Sequence, residues 1–305
     1  MSWSIEGRTV LITGAARGIG AEAAIRLHGR GANVALVGLE PDLLEALAAR
    51  LGDRAAAFEA DVTDAQALER TVAGVARRFG ALDVAIANAG VHFVGSVATA
   101  PAEQFERELE VNLLGVVRTV RAAAPRVVER RGYLLNVASL AAVAHAPLMG
   151  VYAASKAGVE ALTDSLRQEL RVTDTRVGCA YFGFIDTDLV RAGLSHPSSR
   201  AVERLMPRVV RAPVPVQVAV DAIERAVEGR RARVWAPRYI GALLAARGLV
   251  QPLFEQRAVR SPLLPKALEH AEPAAGDLAS QDPKLGIAVP AAAGEADLAV
   301  AADRG

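Results

Sequence analysis

The chain has 305 residues, 52% of them hydrophobic, and its 35 Lys+Arg against 34 Asp+Glu leave a formal charge of +1. That length suits one large α/β domain with a tail, and near-neutrality removes the global field by which nucleic acid or acidic membranes attract a protein. The single cysteine, Cys179, excludes an intramolecular disulfide and a cysteine-rich metal cage; with an N-terminus lacking a basic start and an apolar signal core, it sets the expectation of a cytoplasmic protein.

The first predicted element is Thr9-Val10-Leu11-Ile12-Thr13, a β-rich apolar run. It is followed at once by Gly14-Ala15-Ala16-Arg17-Gly18-Ile19-Gly20 and an Ala-rich helical stretch to Arg30. Strand, glycine loop and helix in this order form a dinucleotide phosphate site, because glycines turn the chain sharply and let backbone N–H groups approach a pyrophosphate. The helix start adds free donors and a positive dipole end. The glycine spacing is G-x-x-x-G-x-G rather than G-x-G-x-x-G. Strands are predicted near 8–12, 33–37, 55–59, 82–87, 133–138, 176–181 and 232–235, with helices between them. Most are continuous apolar runs such as Val34-Ala35-Leu36-Val37, which suit a parallel sheet covered on both faces. The fold class is α/β, a Rossmann-like doubly wound parallel sheet of about seven strands with helices on both faces and its ligand crevice at the carboxyl ends of the strands.

Between these elements lie the residues that carry chemistry. Pro41 suits the first position of a helix, and Glu40 before it reads as an entry charge. Asp61-Val62-Thr63-Asp64 reads as a helix-entry loop after the third strand. Asn112 puts an amide inside apolar Val111-Asn112-Leu113, where burial demands hydrogen bonds. Ser139 ends the run Leu134-Leu135-Asn136-Val137-Ala138. Beyond it, Tyr152-Ala153-Ala154-Ser155-Lys156 sets a phenol and an ammonium on one helical face, about 6 Å apart along the axis. A phenol titrates at about pH 10 and serves poorly in proton transfer at neutrality unless a cation stabilises phenolate. Lys156 is such a cation.

Thr13 to Gly20, Asn88-Ala89-Gly90, Asn112, Ser139 and Tyr152 to Lys156 together resemble the short-chain dehydrogenase/reductase family, in its single-domain form with a Y-x-x-x-K active site, over residues 6–235. The resemblance implies hydride transfer between nicotinamide and an alcohol or ketone, with Tyr152 as acid and base. Ser139 then holds the substrate oxygen, Lys156 holds the nicotinamide ribose and lowers the phenol's pKa, and Asn112 supports a proton relay. It implies a cofactor site of Gly14, Arg17, Gly18, Ile19, Gly20, Asp61, Val62, Asn88, Ala89, Gly90, Tyr152, Lys156, Ile185 and Thr187; no second carboxylate or histidine cluster in the sequence proposes a metal. Asp61 and Val62 would meet the adenine, and Ile185 and Thr187 the carboxamide. NADP and NAD are both open: Arg17 could meet a 2′-phosphate and tips the reading toward NADP, whereas Glu40 could meet a ribose hydroxyl. The chain departs from the family at Phe182-Gly183-Phe184, where Pro-Gly is usual. A homo-oligomer is a further implication. A redox sensor that binds NAD(P) without turnover and a sugar-nucleotide epimerase or dehydratase are the alternative functions.

Leu140, Val143, Leu148, Met149, Phe182, Phe184 and Leu189 are candidate walls of the substrate site, with 188–212 as a lid, so an apolar or alicyclic small molecule is expected. His145 reads as incidental. Residues 239–256 form an Arg-flanked apolar stretch that could lie on a membrane or cover a hydrophobic substrate entrance; it is read as a helix packed against the domain or a second subunit. The expected division is 1–237 as the catalytic dinucleotide-binding domain, 238–268 as a helical extension and 269–305 as a disordered tail.

Overall fold

The apolar runs form seven parallel strands in a computed structural model that describes residues 3–195, 197–269, 271, 281–282 and 287–288. They are β1 (Thr9–Thr13), β2 (Asn33–Gly38), β3 (Ala55–Glu59), β4 (Val84–Ala87), β5 (Tyr133–Val137), β6 (Arg176–Phe182) and β7 (Arg233–Ala236). The order across the sheet is β3-β2-β1-β4-β5-β6-β7. The chain therefore reverses its winding between β1 and β4, and a crevice opens at their carboxyl ends. The fourth strand starts later than the sequence suggests. Asp83, just before it, is only 2% exposed: its backbone bonds Thr9 and Tyr133, and its carboxylate takes the Thr9 backbone N–H at 3.0 Å and the Arg8 guanidinium at 2.9 Å.

Alternation within the strands divides the core. Val10, Ile12, Val34, Leu36, Val84 and Ile86 face one side, where α1 (Gly18–Gly29), α2 (Pro41–Leu51) and, further along the chain, the helix Val216–Gly229 pack. Leu11, Ala35, Val37, Ala85 and Leu134 face the other, covered by α3 (Ala65–Phe79), α5 (Gly115–Glu129) and α6 (Gly150–Glu169). The chain reaches α5 through α4 (Ala102–Leu109) and a π-helical turn, Glu110–Leu114.

After β6 the chain forms α7 (Asp188–Ser195), α8 (Pro197–Glu203) and α9 (Arg208–Arg211) before the helix Val216–Gly229, which is α10. Parallel pairing of Ile185 with Val214 pins the two ends of this excursion together. The extension continues as α11 (Ile240–Ala245), α12 (Arg247–Val259) and α13 (Leu263–Glu269), so the stretch 239–256 is two helices rather than one. It docks on its own domain. Ile240 is fully buried, Arg247 pairs with Glu160 at 3.1 Å, and Gln251 bonds the His145 backbone N–H at 2.8 Å. A satellite core of Ala146, Leu148, Val202 and Ala267, with Met149, Met206 and Phe254 against it, joins the lid to this extension. Among the described residues no helix is long and apolar enough to cross a membrane. The expectation for 269–305 falls largely outside the described residues.

Cutting the chain after Arg238 should lower the melting temperature, because burial of Ile240 alone is worth about 2–3 kcal/mol. Differential scanning calorimetry of the full and cut chains checks this, and an unchanged transition would mean that the docked helices add nothing to the domain.

Candidate active site

At the β1–α1 turn Gly14 has φ +66°, a left-handed conformation that a side chain would strain. Gly20 is required by close approach: a Cβ there would lie 2.2 Å from the Gly14 carbonyl oxygen and 2.8 Å from Asn88 Nδ2. Gly20 thus packs beneath the loop, while Gly14, Arg17, Gly18 and Ile19 line a cavity of about 260 Å³. The N-cap residue of α1, Arg17, makes no side-chain capping bond, which leaves first-turn N–H groups for an anion. Asn88 ties the end of β4 to this loop, its Nδ2 donating to the Thr13 and Gly14 carbonyls at 3.0 and 3.3 Å. A polar, glycine-walled cleft of this kind fits a dinucleotide.

The charged residues at the cleft have partners. Pro41 opens α2 as expected, but the Glu40 carboxylate makes no cap and instead takes both prongs of the Arg17 guanidinium. Arg17 is therefore not a lone solvent-facing charge. Asp61 accepts the Thr63 backbone N–H at 2.8 Å and Arg107 Nη2 at 3.2 Å. Against the cost of burial, Thr63 and Arg107 hold its carboxyl below the usual range. Asp61, Val62, Ala89, Gly90, Ile185 and Thr187 all line the same cavity.

Asn112 does not line it. It is fully buried, receiving the Val91 N–H and donating to the Val91 carbonyl, both at 2.8 Å, with Ser155 Oγ at 3.4 Å. Its place on the π-helical turn meets the hydrogen-bonding demand read from the sequence.

Ser139 follows β5, and its hydroxyl donates to the Phe182 carbonyl at 3.3 Å while accepting the Ala141 N–H at 3.1 Å. Phe182, in the place of the family's proline, extends β6 in register with Ala236 and so holds the serine through its backbone. Tyr152 and Lys156 lie on α6 as the spacing predicts. Withdrawal from water pushes the Tyr152 phenol up to about 12, with the neighbouring Ser139 hydroxyl pulling the other way. The same withdrawal lowers the Lys156 ammonium to about 8. Lys156 Nζ donates to the Val137 carbonyl at 3.1 Å and sits 5.7 Å from the centre of the Tyr152 ring. Burial, not the lysine, dominates the phenol in the protein alone.

A second cavity, of about 400 Å³ and mostly apolar, adjoins the first. Ser139, Tyr152, Gly183, Leu189 and Val190 line both. Of the expected walls, Leu140, Leu148, Met149, Phe184 and Leu189 are present. Two are corrected: Val143 is core at 4% exposure, and Phe182 belongs to the polar cavity. The lid contributes Leu194, Val202, Leu205, Met206 and Val210. His145 is exposed and lines neither cavity, although its neighbours Ala144 and Ala146 line the apolar one. Leu243, Val250, Leu253 and Phe254 of the extension line it too, so the stretch 239–256 covers the apolar cavity, the less favoured of its sequence readings; which of its residues do so is not set by any local pattern in α11 and α12. His92 and Glu108 were missed. Glu108 stands four residues before the buried Asn112, a spacing that puts both on one helical side and could have found it.

The pattern of the short chain dehydrogenase family matches residues 8–197. A probable oxidoreductase, EphD, of Mycobacterium tuberculosis is 35% identical over 201 residues, covering 64% of this chain and 34% of that protein; the chain thus spans about a third of its length. A trans-4-hydroxycyclohexanecarboxylate dehydrogenase of Sinomonas cyclohexanicum is 34% identical, covering 61% of this chain and 75% of that one. A short chain dehydrogenase of Burkholderia cenocepacia in complex with NADP superposes with TM-score 0.71 at 27% identity, covering 85% of this chain and all of its own. One of Burkholderia phymatum in complex with NAD gives the same TM-score at 24% identity, covering 85% and 98%, which speaks to the fold alone.

Proposed function

The chain belongs to the short chain dehydrogenase family, and from that premise we propose that it moves a hydride between NAD(P) and an apolar or alicyclic alcohol or ketone, with Tyr152 as acid and base. The observation that supports the reading is the shared wall: Ser139 and Tyr152 line both the polar, glycine-walled cavity and the apolar one. A bound nicotinamide would supply or take the hydride there. The loop Gly14 to Gly20 with the α1 N-terminus would hold the pyrophosphate, and Asp61 and Val62 the adenine. Ile185 and Thr187 would hold the carboxamide, and Lys156 the ribose. In reduction Ser139 donates to the substrate oxygen and Tyr152 gives its O–H proton to it; in oxidation the same phenolic oxygen takes the proton back. Lys156, once drawn to a cofactor ribose, is the cation that eases loss of that proton. Asn112 holds the backbone at Val91 beneath the site. The apolar cavity excludes water from the reacting carbon, and its size suits a ring such as the one in the substrate for which the Sinomonas relative is named. Absorbance of reduced nicotinamide with a panel of cyclic ketones and alcohols tests the reading, and an absence of turnover with both NADP and NAD would end it.

The Arg17–Glu40 pair governs the choice of cofactor in this reading. Arg17→Ala should weaken NADP by about 1.5–3 kcal/mol, the scale of hydrogen bonds to a charged group, and change NAD little. Glu40→Gln should favour NADP, since the carboxylate that competes for Arg17 and repels a 2′-phosphate is gone. Titration of each variant with both cofactors checks this, and an unchanged NADP/NAD ratio in Arg17→Ala would remove the pair from cofactor choice.

A further inference from the structure

Glu108 on α4 is an expensive residue in its place. It is 0% exposed, its Oε1 takes the Phe93 backbone N–H at 3.1 Å and meets His92 Nδ1 at 3.2 Å, and its Oε2 is buried without a hydrogen-bond partner among the described residues. A buried carboxylate with an orphan oxygen is retained at a cost in stability, and the group it fixes is the His92 imidazole. With Nδ1 against the carboxylate, the hydrogen sits on Nδ1 and Nε2 becomes the free edge of the ring. That ring packs tilted against Tyr152, with centroids 4.5 Å apart and planes at 53°. Its side chain, 14% exposed, lines the apolar cavity, and its Cδ2 edge, next to Nε2, faces Gly193 of α7 at 3.8 Å from where a Cβ would stand. Nε2 has no hydrogen-bond partner among the described residues. The protein thus holds one oriented polar edge beside the proton donor in a wall that is otherwise mostly apolar.

We propose that His92 is a specificity-determining residue that binds a second hydroxyl of the substrate, close to the reacting carbon, with Glu108 as the positioning residue that sets the imidazole. The substrate class becomes an alicyclic diol or hydroxyketone instead of a simple alcohol or ketone. A hydroxyl both donates and accepts, so it satisfies Nε2 in either charge state of the ring. An isolated apolar ring would leave Nε2 without a partner once the cavity fills, and a site built around a polar group discriminates against the analogue that lacks its mate. The inference rests on reading the cavity beside Tyr152 as the substrate pocket.

The test compares cyclohexanol with cyclohexane-1,2-diol and cyclohexane-1,3-diol in NAD(P)-dependent oxidation, alongside imidazole ¹⁵N spectra of histidine-labelled protein with cofactor. The parent should favour one of the diols over cyclohexanol by at least about tenfold in kcat/KM, and that diol should shift the Nε2 resonance of His92. His92→Phe should bring the ratio to about one, mainly through KM for the diol, and His92→Gln, which keeps a hydrogen-bonding end, should restore part of it. Glu108→Leu should lower the ratio as His92→Phe does and change the tautomer signature in the spectrum, whereas a merely structural role would depress both substrates alike. Turnover of all three alcohols with the same ratio in parent and His92→Phe, and no Nε2 shift, would overturn the proposal while leaving the oxidoreductase reading intact. A diol-dependent Nε2 shift without turnover of any probe would support the subsite and count against the reaction.

Discussion

Tyr152→Phe is expected to lose turnover by about 10²–10⁴-fold, the range of a positioned general acid or base, while cofactor affinity and melting temperature stay near those of the parent. The substitution removes one oxygen. The aromatic ring remains to pack against His92, and the glycine loop, Asp61 and Asn88, which form the rest of the polar cavity, are untouched. Steady-state kinetics with cofactor titration by fluorescence check it. A variant that keeps most of the parent kcat would remove Tyr152 from proton transfer and with it the assigned mechanism.

Lys156→Met should separate function from stability. The side chain is 4% exposed and among the described residues its ammonium has one hydrogen-bond acceptor, the Val137 carbonyl at 3.1 Å, so the cation is poorly compensated in the protein alone. Its pKa falls from the ordinary 10.5 to about 8 because burial disfavours the charged form. For a group whose folded value is depressed in this sense, the unfolded chain binds more protons between about pH 8 and 10.5, and the parent gains stability as pH rises through that window. Methionine removes the charge and keeps the length. Without cofactor, Lys156→Met should therefore melt above the parent at pH 7, with the difference shrinking as pH rises from about 8 to 10.5. The same variant should lose turnover by about 10²-fold or more and bind the cofactor about tenfold more weakly, since a charge-assisted contact to ribose is lost. Melting curves across pH and cofactor titrations check both halves; equal cofactor affinity in the two proteins would refute the ribose role, and a lower melting temperature at pH 7 would show that the ammonium is well compensated.

The strands and the glycine loop were legible because their causes are local. A continuous apolar run such as Val34 to Val37 needs cover on both faces wherever it lies, and Gly20 is demanded by a clash with Gly14 six residues away. The Tyr152–Lys156 spacing is likewise a property of one helix. The pairing of Glu40 with Arg17 was not legible, since it depends on how β2 ends beside the β1–α1 turn. Nor was the assignment of Val143 to the core and of Phe182 to the polar cavity, which turns on the direction each side chain takes from its own strand or turn.

By itself the sequence determined the doubly wound sheet and the order of its motifs, because short-range periodicity and spacing carry that information; most of the residues at its carboxyl edge were named through the family resemblance. Only the tertiary structure decided what surrounds them. The satellite core draws the lid and the C-terminal helices over the apolar cavity, and the fold of the 92–108 segment buries Glu108 against His92. Both outcomes arise from contacts between segments distant in sequence, whose strength depends on the water they jointly exclude and not on any pattern within one of them.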